Sequence, residues 1–219
     1  MDAPASAEIQ IHWRIKAWFP DLGFETHSKL RSYFNELLKH NKTINLITSK
    51  TLVNCDLFHF ADSINAAKIV QKKVKNNIDL YDIGSGNGFP GLVFAILFPE
   101  QKIVLNDSDD RRIDFLKAVV SSLGLPNVRV EHKKVELYDA DVLEQVICRD
   151  FGTLSKTLMT LRKSVKLGGL VFNLKSDEWS KEVLQIPAQL CSSWRPHLIG
   201  EYKLPVNDIK LYVVEAIKI

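Results

Sequence analysis

The sequence predicts an α/β fold: a mainly parallel, Rossmann-like sheet with a C-terminal antiparallel hairpin and an N-terminal helical extension. Three observations predict it. Short apolar runs alternate with amphipathic stretches from residue 78 onward, and the first of these runs ends in four glycines within eight residues, at 84, 86, 88 and 91. The last two apolar runs are separated only by a short turn. Regular strand–helix alternation argues for parallel strands with helices on both faces. A short turn can join two strands only in antiparallel fashion.

The chain of 219 residues suits one α/β unit, spanning residues 76–219, with a helical extension over residues 1–75. Its 46% hydrophobic and 25% charged residues are those of a globular protein with a sizeable core. A net charge of +3 permits a nucleic-acid partner without demanding one. Cys55, Cys148 and Cys191 lie far apart with no CxxC pair, so they read as buried reduced thiols and not as a metal site or disulfide framework. The first ten residues lack a basic flank before an apolar run, and no apolar stretch approaches the ~20 residues that span a bilayer. These features predict a cytoplasmic protein without metal or membrane; a monomer is expected, although no motif in the sequence specifies the oligomeric state.

In the extension, Leu30, Phe34, Leu37 and Leu38 recur at helical spacing; residues 41–45 interrupt the run, and helix resumes near Thr51. Residues 78–83 form the first strand, 91–98 a helix closed before Pro99, and 102–106 the second strand, ending on Asp107. Asp109 caps a helix over 111–123, with Ile113, Leu116 and Val120 on one face and Gly124 as its stop. Strands follow at 127–131, 145–148 and 170–174, with a helix over 153–167 broken at Gly168 and Gly169. Residues 198–204 and 210–218 form the closing hairpin, turning through Pro205 and Asn207.

The loop DIGSGNGFPG over residues 82–91 carries the chemistry. Glycine serves where the chain takes positive φ or where a ligand touches the backbone. Such a loop at the carboxyl end of a central parallel strand borders the crevice where ligands bind in open α/β sheets. Gly86, Gly88 and Gly91 also satisfy the dinucleotide pattern GxGxxG, a weak signal alone. Two features favour S-adenosylmethionine over a dinucleotide. Asp82 can face a cationic amino-acid group and would repel a pyrophosphate. Pro90 removes a backbone donor where a pyrophosphate would need one. Asp107 suits a ribose under either reading. For the methyl acceptor, the chain has no D/N-P-P-Y/F tetrapeptide for an exocyclic amine and no Pro-Cys pair for attack on a pyrimidine carbon. An acceptor that is already nucleophilic, such as a guanine ring nitrogen, needs little acid–base help.

The loop, together with VLNDS at 104–108, RRIDFL at 111–116 and Asn127-Val128, resembles the RsmG family (glucose-inhibited division protein B). The likeness extends to NKTINLIT at 41–48, HFADS at 59–63, ICRDF at 147–151 and NLK at 173–175, and covers about residue 30 to the carboxyl end. The resemblance implies a class I methyltransferase fold, S-adenosyl-L-methionine as cofactor, and methylation of a guanine N7 in 16S ribosomal RNA of the small subunit. It places Gly84 and Phe89 against the cofactor, within a binding set that also includes Asp82, Gly86, Gly88 and Ser108. It puts Asp107 on the ribose, Val135 and Glu136 beside the adenine, and Arg149 at the open edge near cofactor and acceptor, as a cofactor-binding residue and the catalytic candidate. Lys39, His40 and Lys42 become candidates for RNA contact. The chain departs from the family at Lys134, where arginine is usual, at Asp150, where alanine is usual, and at Ser176, where glycine is usual. His59 and Asp62, at i, i+3 spacing, read as a buried structural pair.

Overall fold

The computed structural model describes residues 10–219; the expectation that the amino terminus carries no signal sequence rests on residues outside that span. Helices α1 (Ile15–Trp18), α2 (Phe24–Ile44) and α3 (Ser49–Leu52), a π-helical turn (Asp56–Ala61) and α4 (Asp62–Val70) precede the sheet. There follow β1 (Leu80–Ile83), α5 (Gly91–Leu97), β2 (Ile103–Asp107), α6 (Asp110–Leu123), β3 (Val128–His132), a 3-10 turn (Val135–Leu137) and β4 (Leu143–Arg149). The chain ends with α7 (Leu154–Leu161), β5 (Val165–Lys175), α8 (Trp179–Leu184), α9 (Ala188–Cys191), β6 (Trp194–Lys203) and β7 (Lys210–Lys218).

The seven strands lie in the order β3-β2-β1-β4-β5-β7-β6. Those from β3 to β5 are parallel; β7 runs antiparallel to β5, and β6 antiparallel to β7. From β1 the chain moves first to one side, to β2 and β3, and then across to β4. The carboxyl ends of β1 and β4 therefore flank the switch point where open α/β sheets bind ligands.

One face of the sheet shares a single apolar core with the extension. Leu30, Phe34 and Leu37 of α2 pack with Phe60, Phe94, Leu105 and Phe172. Burying those three α2 side chains contributes on the order of 5–9 kcal/mol, comparable to the net stability of a whole domain. The extension is therefore part of the fold's own support. Trp13 joins it, its ring 4.6 Å from Phe34 and 5.0 Å from Phe60. The other face buries Val146, Leu158, Val171 and Trp194.

Asp109 caps α6 as expected, its side chain accepting from the amides of Arg111 and Arg112, and Gly124 closes the helix in the left-handed conformation. Three expectations change. Helix α2 continues through residues 41–44, which hold neither glycine nor proline, and ends at Ile44, capped where Asn45 turns left-handed at φ 42°. The Asn41 side chain caps that end by accepting from the Ile47 amide. Helix α7 stops at Leu161, not near 167, because the Ser164 carbonyl already accepts from the amides of Val142 and Leu143 beside β4. β5 then includes Gly168 and Gly169, where its register on β4 shifts and Gly168 takes φ 75°. Of the cysteines, Cys55 and Cys148 are buried, but Cys191 is exposed in the short α9.

Candidate active site

The glycine loop joins β1 to α5, with positive φ at Gly84, Gly86 and Gly88. The four glycines differ in what requires them. A β-carbon on Gly84 would stand 2.7 Å from the Phe151 ring, one on Gly88 would meet Leu92 and the Tyr33 hydroxyl, and one on Gly91 would lie 2.5 Å from both Asp82 and Leu105. Those three make room for the protein's own atoms. Gly86 alone faces space, with nothing nearer than 3.8 Å to its would-be β-carbon.

Two cavities meet at this loop. The first, about 460 Å³, is walled by Gly84, Asp107, Ser108, Val135, Glu136 and Phe151. The second, about 360 Å³, is bounded by Gly86, Phe89, Thr51, His59 and Arg149. Gly84, Arg112 and Asp150 border both. Of the residues expected at the site, all except Asp82 and Gly88 line one cavity or the other.

Asp82 sits just beneath. Its side chain is 1% exposed, and Oδ2 accepts from the Gly91 amide at 2.9 Å, pinning the loop's far end to β1. Burial pushes its pKa up to about 7, against the opposing pull of the Gly91 amide. Oδ1 is buried without a hydrogen-bond partner, an unusual state for a carboxylate oxygen. Asp107 ends β2 and ties loop to helix. Oδ1 accepts from the amides of Ser108 and Asp109, while Oδ2 accepts from the Gly86 amide at 2.8 Å and from Arg112 at 3.4 Å. Those four contacts occupy the carboxylate's usual capacity. The long bond to Arg112, which is half exposed, is the one a ribose hydroxyl would displace.

Arg149 lies at the end of β4 with its side chain 9% exposed, a buried ion pair and not a surface one. Nη1 donates to Asp62 Oδ2 at 3.0 Å and to the Phe58 carbonyl at 3.3 Å; Nη2 donates to His59 Nδ1 at 2.9 Å. The Tyr202 hydroxyl, from β6, donates to the other oxygen of Asp62 at 2.5 Å. Burial raises the Asp62 pKa despite Arg149. Burial, reinforced by the Arg149 charge, lowers that of His59 to about 3. The guanidinium also lies 5.3 Å from the centre of the Phe89 ring. His59 and Asp62 thus do not bond to each other, as their spacing suggested; both grip Arg149. The sequence reading also missed Tyr33 and Tyr202, and it held Phe151 only within the ICRDF stretch, without a role. Nothing in their local patterns marks them, because each reaches the site through tertiary packing.

The residues present fit an adenosyl sulfonium donor. Gly86 leaves a bare edge that could border it and Asp107 a carboxylate that could meet its ribose, while Asp82 holds the loop from beneath through the Gly91 amide. A seven-stranded sheet of this order, with its reversed strand and this glycine crevice, defines a Rossmann-like S-adenosylmethionine-dependent methyltransferase. In solved structures the fold recurs in a SAM-dependent methyltransferase from Aquifex aeolicus, with TM-score 0.55, 14% identity, and coverage of 84% of this chain and 98% of that one. It recurs also in the YcgJ protein from Bacillus subtilis, with TM-score 0.54, 13% identity, and coverage of 73% and 99%. The family model for GidB, rRNA small subunit methyltransferase G, matches residues 26–198. A curated relative from Bdellovibrio bacteriovorus, ribosomal RNA small subunit methyltransferase G 3, is 46% identical over 95% of both chains. Ribosomal RNA small subunit methyltransferase G from Hydrogenovibrio crunogenus is 35% identical over 73% of this chain and 72% of its own. The chain belongs to this family.

Proposed function

We propose that this chain transfers a methyl group from S-adenosylmethionine to the N7 atom of a guanine in 16S ribosomal RNA of the small subunit. The observation that carries the reading is the pair of cavities sharing Gly84, one fitted to an adenosyl group and one open beside Arg149 and His59. The bound cofactor supplies an electrophilic methyl group on sulfonium. Asp107 and Glu136 would hold its adenosine end and the glycine loop its amino-acid end, with Asp82 pinning that loop from beneath. Phe89, His59 and Arg149 wall the space for the acceptor. Guanine N7 presents a lone pair and has no proton to lose, so the work left to these residues is alignment and exclusion of water. Arg112, Lys133, Lys134 and Lys156 line the first cavity and supply positive charge for RNA phosphates. The relatives' names support ribosomal RNA as the acceptor.

We further propose a monomer that works in the cytoplasm; no helix among the described residues is long and apolar enough to cross a membrane. Size-exclusion chromatography with light scattering checks the first point. For the activity, labelled S-adenosylmethionine is incubated with undermethylated small subunits and with free 16S RNA, and digests are resolved by mass. Label in 7-methylguanosine is expected. Label only in another nucleoside, or none in either RNA despite cofactor binding, overturns the reading.

A further inference from the structure

We infer that His59 is a specificity residue of the acceptor cavity, locked by Arg149 as the Nε2–H tautomer and presenting one hydrogen-bond donor to the carbonyl oxygen of the incoming purine. The inference rests on the guanine reading above. Its physical basis is the 2.9 Å contact between Arg149 Nη2 and His59 Nδ1. A guanidinium only donates, so Nδ1 must accept, and the single ring proton of neutral histidine is left on Nε2. A doubly protonated ring would set N–H against N–H and cation against cation. The lowered pKa of His59 agrees with a neutral ring.

The ring is held firmly. It stacks on Phe89 at 5.2 Å and 28°; Phe89 stacks on Tyr33 at 5.0 Å and 30°, and the Tyr33 hydroxyl donates to the Asn87 carbonyl at 2.6 Å. Yet the donor it presents is barely used. The Nε2 contact is to Thr51 Oγ1 at 3.4 Å, the long limit of a hydrogen bond, and that hydroxyl is itself 3.1 Å from Thr48 Oγ1. Thr48, Thr51 and His59 all line the second cavity. A fixed, underused donor facing a cavity is chemistry for reading an acceptor atom. Guanine offers O6 beside N7 on one edge, whereas adenine offers an amino group there, which an N–H would oppose. His59 therefore favours guanine over adenine while leaving N7 free for the methyl group.

The test separates donation from simple support of Arg149. His59→Gln keeps an N–H near the Nε2 position; His59→Asn keeps an acceptor near Nδ1 but no donor at the far side. Expected are kcat/KM on small-subunit RNA within about fivefold of wild type for His59→Gln, and a loss on the order of 10- to 100-fold for His59→Asn. Cofactor affinity by calorimetry should be unchanged in both. His59→Asn equalling or outperforming His59→Gln overturns the proposal. Ring nitrogen NMR of the wild-type protein tests the tautomer without any variant. A protonated Nε2 and bare Nδ1 are expected, and the reverse, or a doubly protonated ring near neutral pH, overturns it. Wild-type protein that methylates no guanine would sink the functional reading, whereas the NMR result stands independently of it.

Discussion

Removing the Asp62 carboxylate strands the guanidinium of Arg149 in the interior. The two side chains are 8% and 9% exposed, so water can hydrate neither well. Breaking a buried ion pair from one side costs about 3–5 kcal/mol; the exposed Asp150 carboxylate, 3.8 Å from Arg149 Nε, compensates the remaining charge only in part. In Asp62→Ala the Tyr202 hydroxyl also loses its acceptor. Set against a net stability of roughly 5–15 kcal/mol, that is a large fraction. For a chain of this size, about 2–4 °C of melting temperature accompanies each kcal/mol, so the variant should melt roughly 6–20 °C lower. The double variant Asp62→Ala with Arg149→Met removes the stranded charge and should recover most of that loss, because a buried pair adds little over apolar packing. It should remain inactive. Calorimetric or circular-dichroism melting of wild type, Asp62→Ala, Arg149→Met and the double variant closes the cycle. A drop under about 2 °C for Asp62→Ala, or single losses that merely add in the double variant, would refute the view of Arg149 as a buried, anchored cation.

Gly86→Val should abolish cofactor binding in calorimetry while leaving a folded protein: the left-handed φ costs about 1–2 kcal/mol or somewhat more, and the new side chain enters open crevice. Retained affinity would count against the loop assignment. Asp82 tests linkage. Its folded pKa of about 7 lies above the ordinary carboxylate value, so the fold favours the protonated acid; that contribution is present below about pH 4 and lost as pH rises through about 7. Asp82→Asn keeps an acceptor for the Gly91 amide without the charge. Urea unfolding should show it gaining on wild type between about pH 4 and about pH 7, and a pH-independent difference would contradict the account. In the native protein, a thiol reagent should titrate Cys191 promptly and leave Cys55 and Cys148 until denaturant is added; three fast thiols would contradict the packing.

The architecture was legible because period and punctuation are local. The DIGSGNGFPG loop, the Asp109 cap and the turn after Lys203 announce β1, α6 and the hairpin without reference to distant residues. What misled were segments whose hydrogen bonds are decided elsewhere. Nothing near Ser164 says that its carbonyl will meet β4, and a polar run at 41–45 looks like a break although it contains no breaker. The site divides in the same way. Asp107 and Gly86 could be placed by their position after strands. Asp82 could be placed too, but its carboxylate turns under the loop to Gly91, which spacing alone does not reveal. The tie of His59, Asp62 and Tyr202 to Arg149 spans the extension, β4 and β6, with Asp62 and Tyr202 140 positions apart in sequence. No single stretch of sequence contains it.

A crystal of the protein soaked in S-adenosylmethionine, or in its demethylated product, tests the central claim most directly. Density for the adenosyl group should run across Gly84 and Gly86, with the ribose on Asp107 in place of Arg112 and the amino-acid end along the glycine loop. An unfilled crevice at saturating ligand, or a ligand bound elsewhere on the sheet, would contradict it.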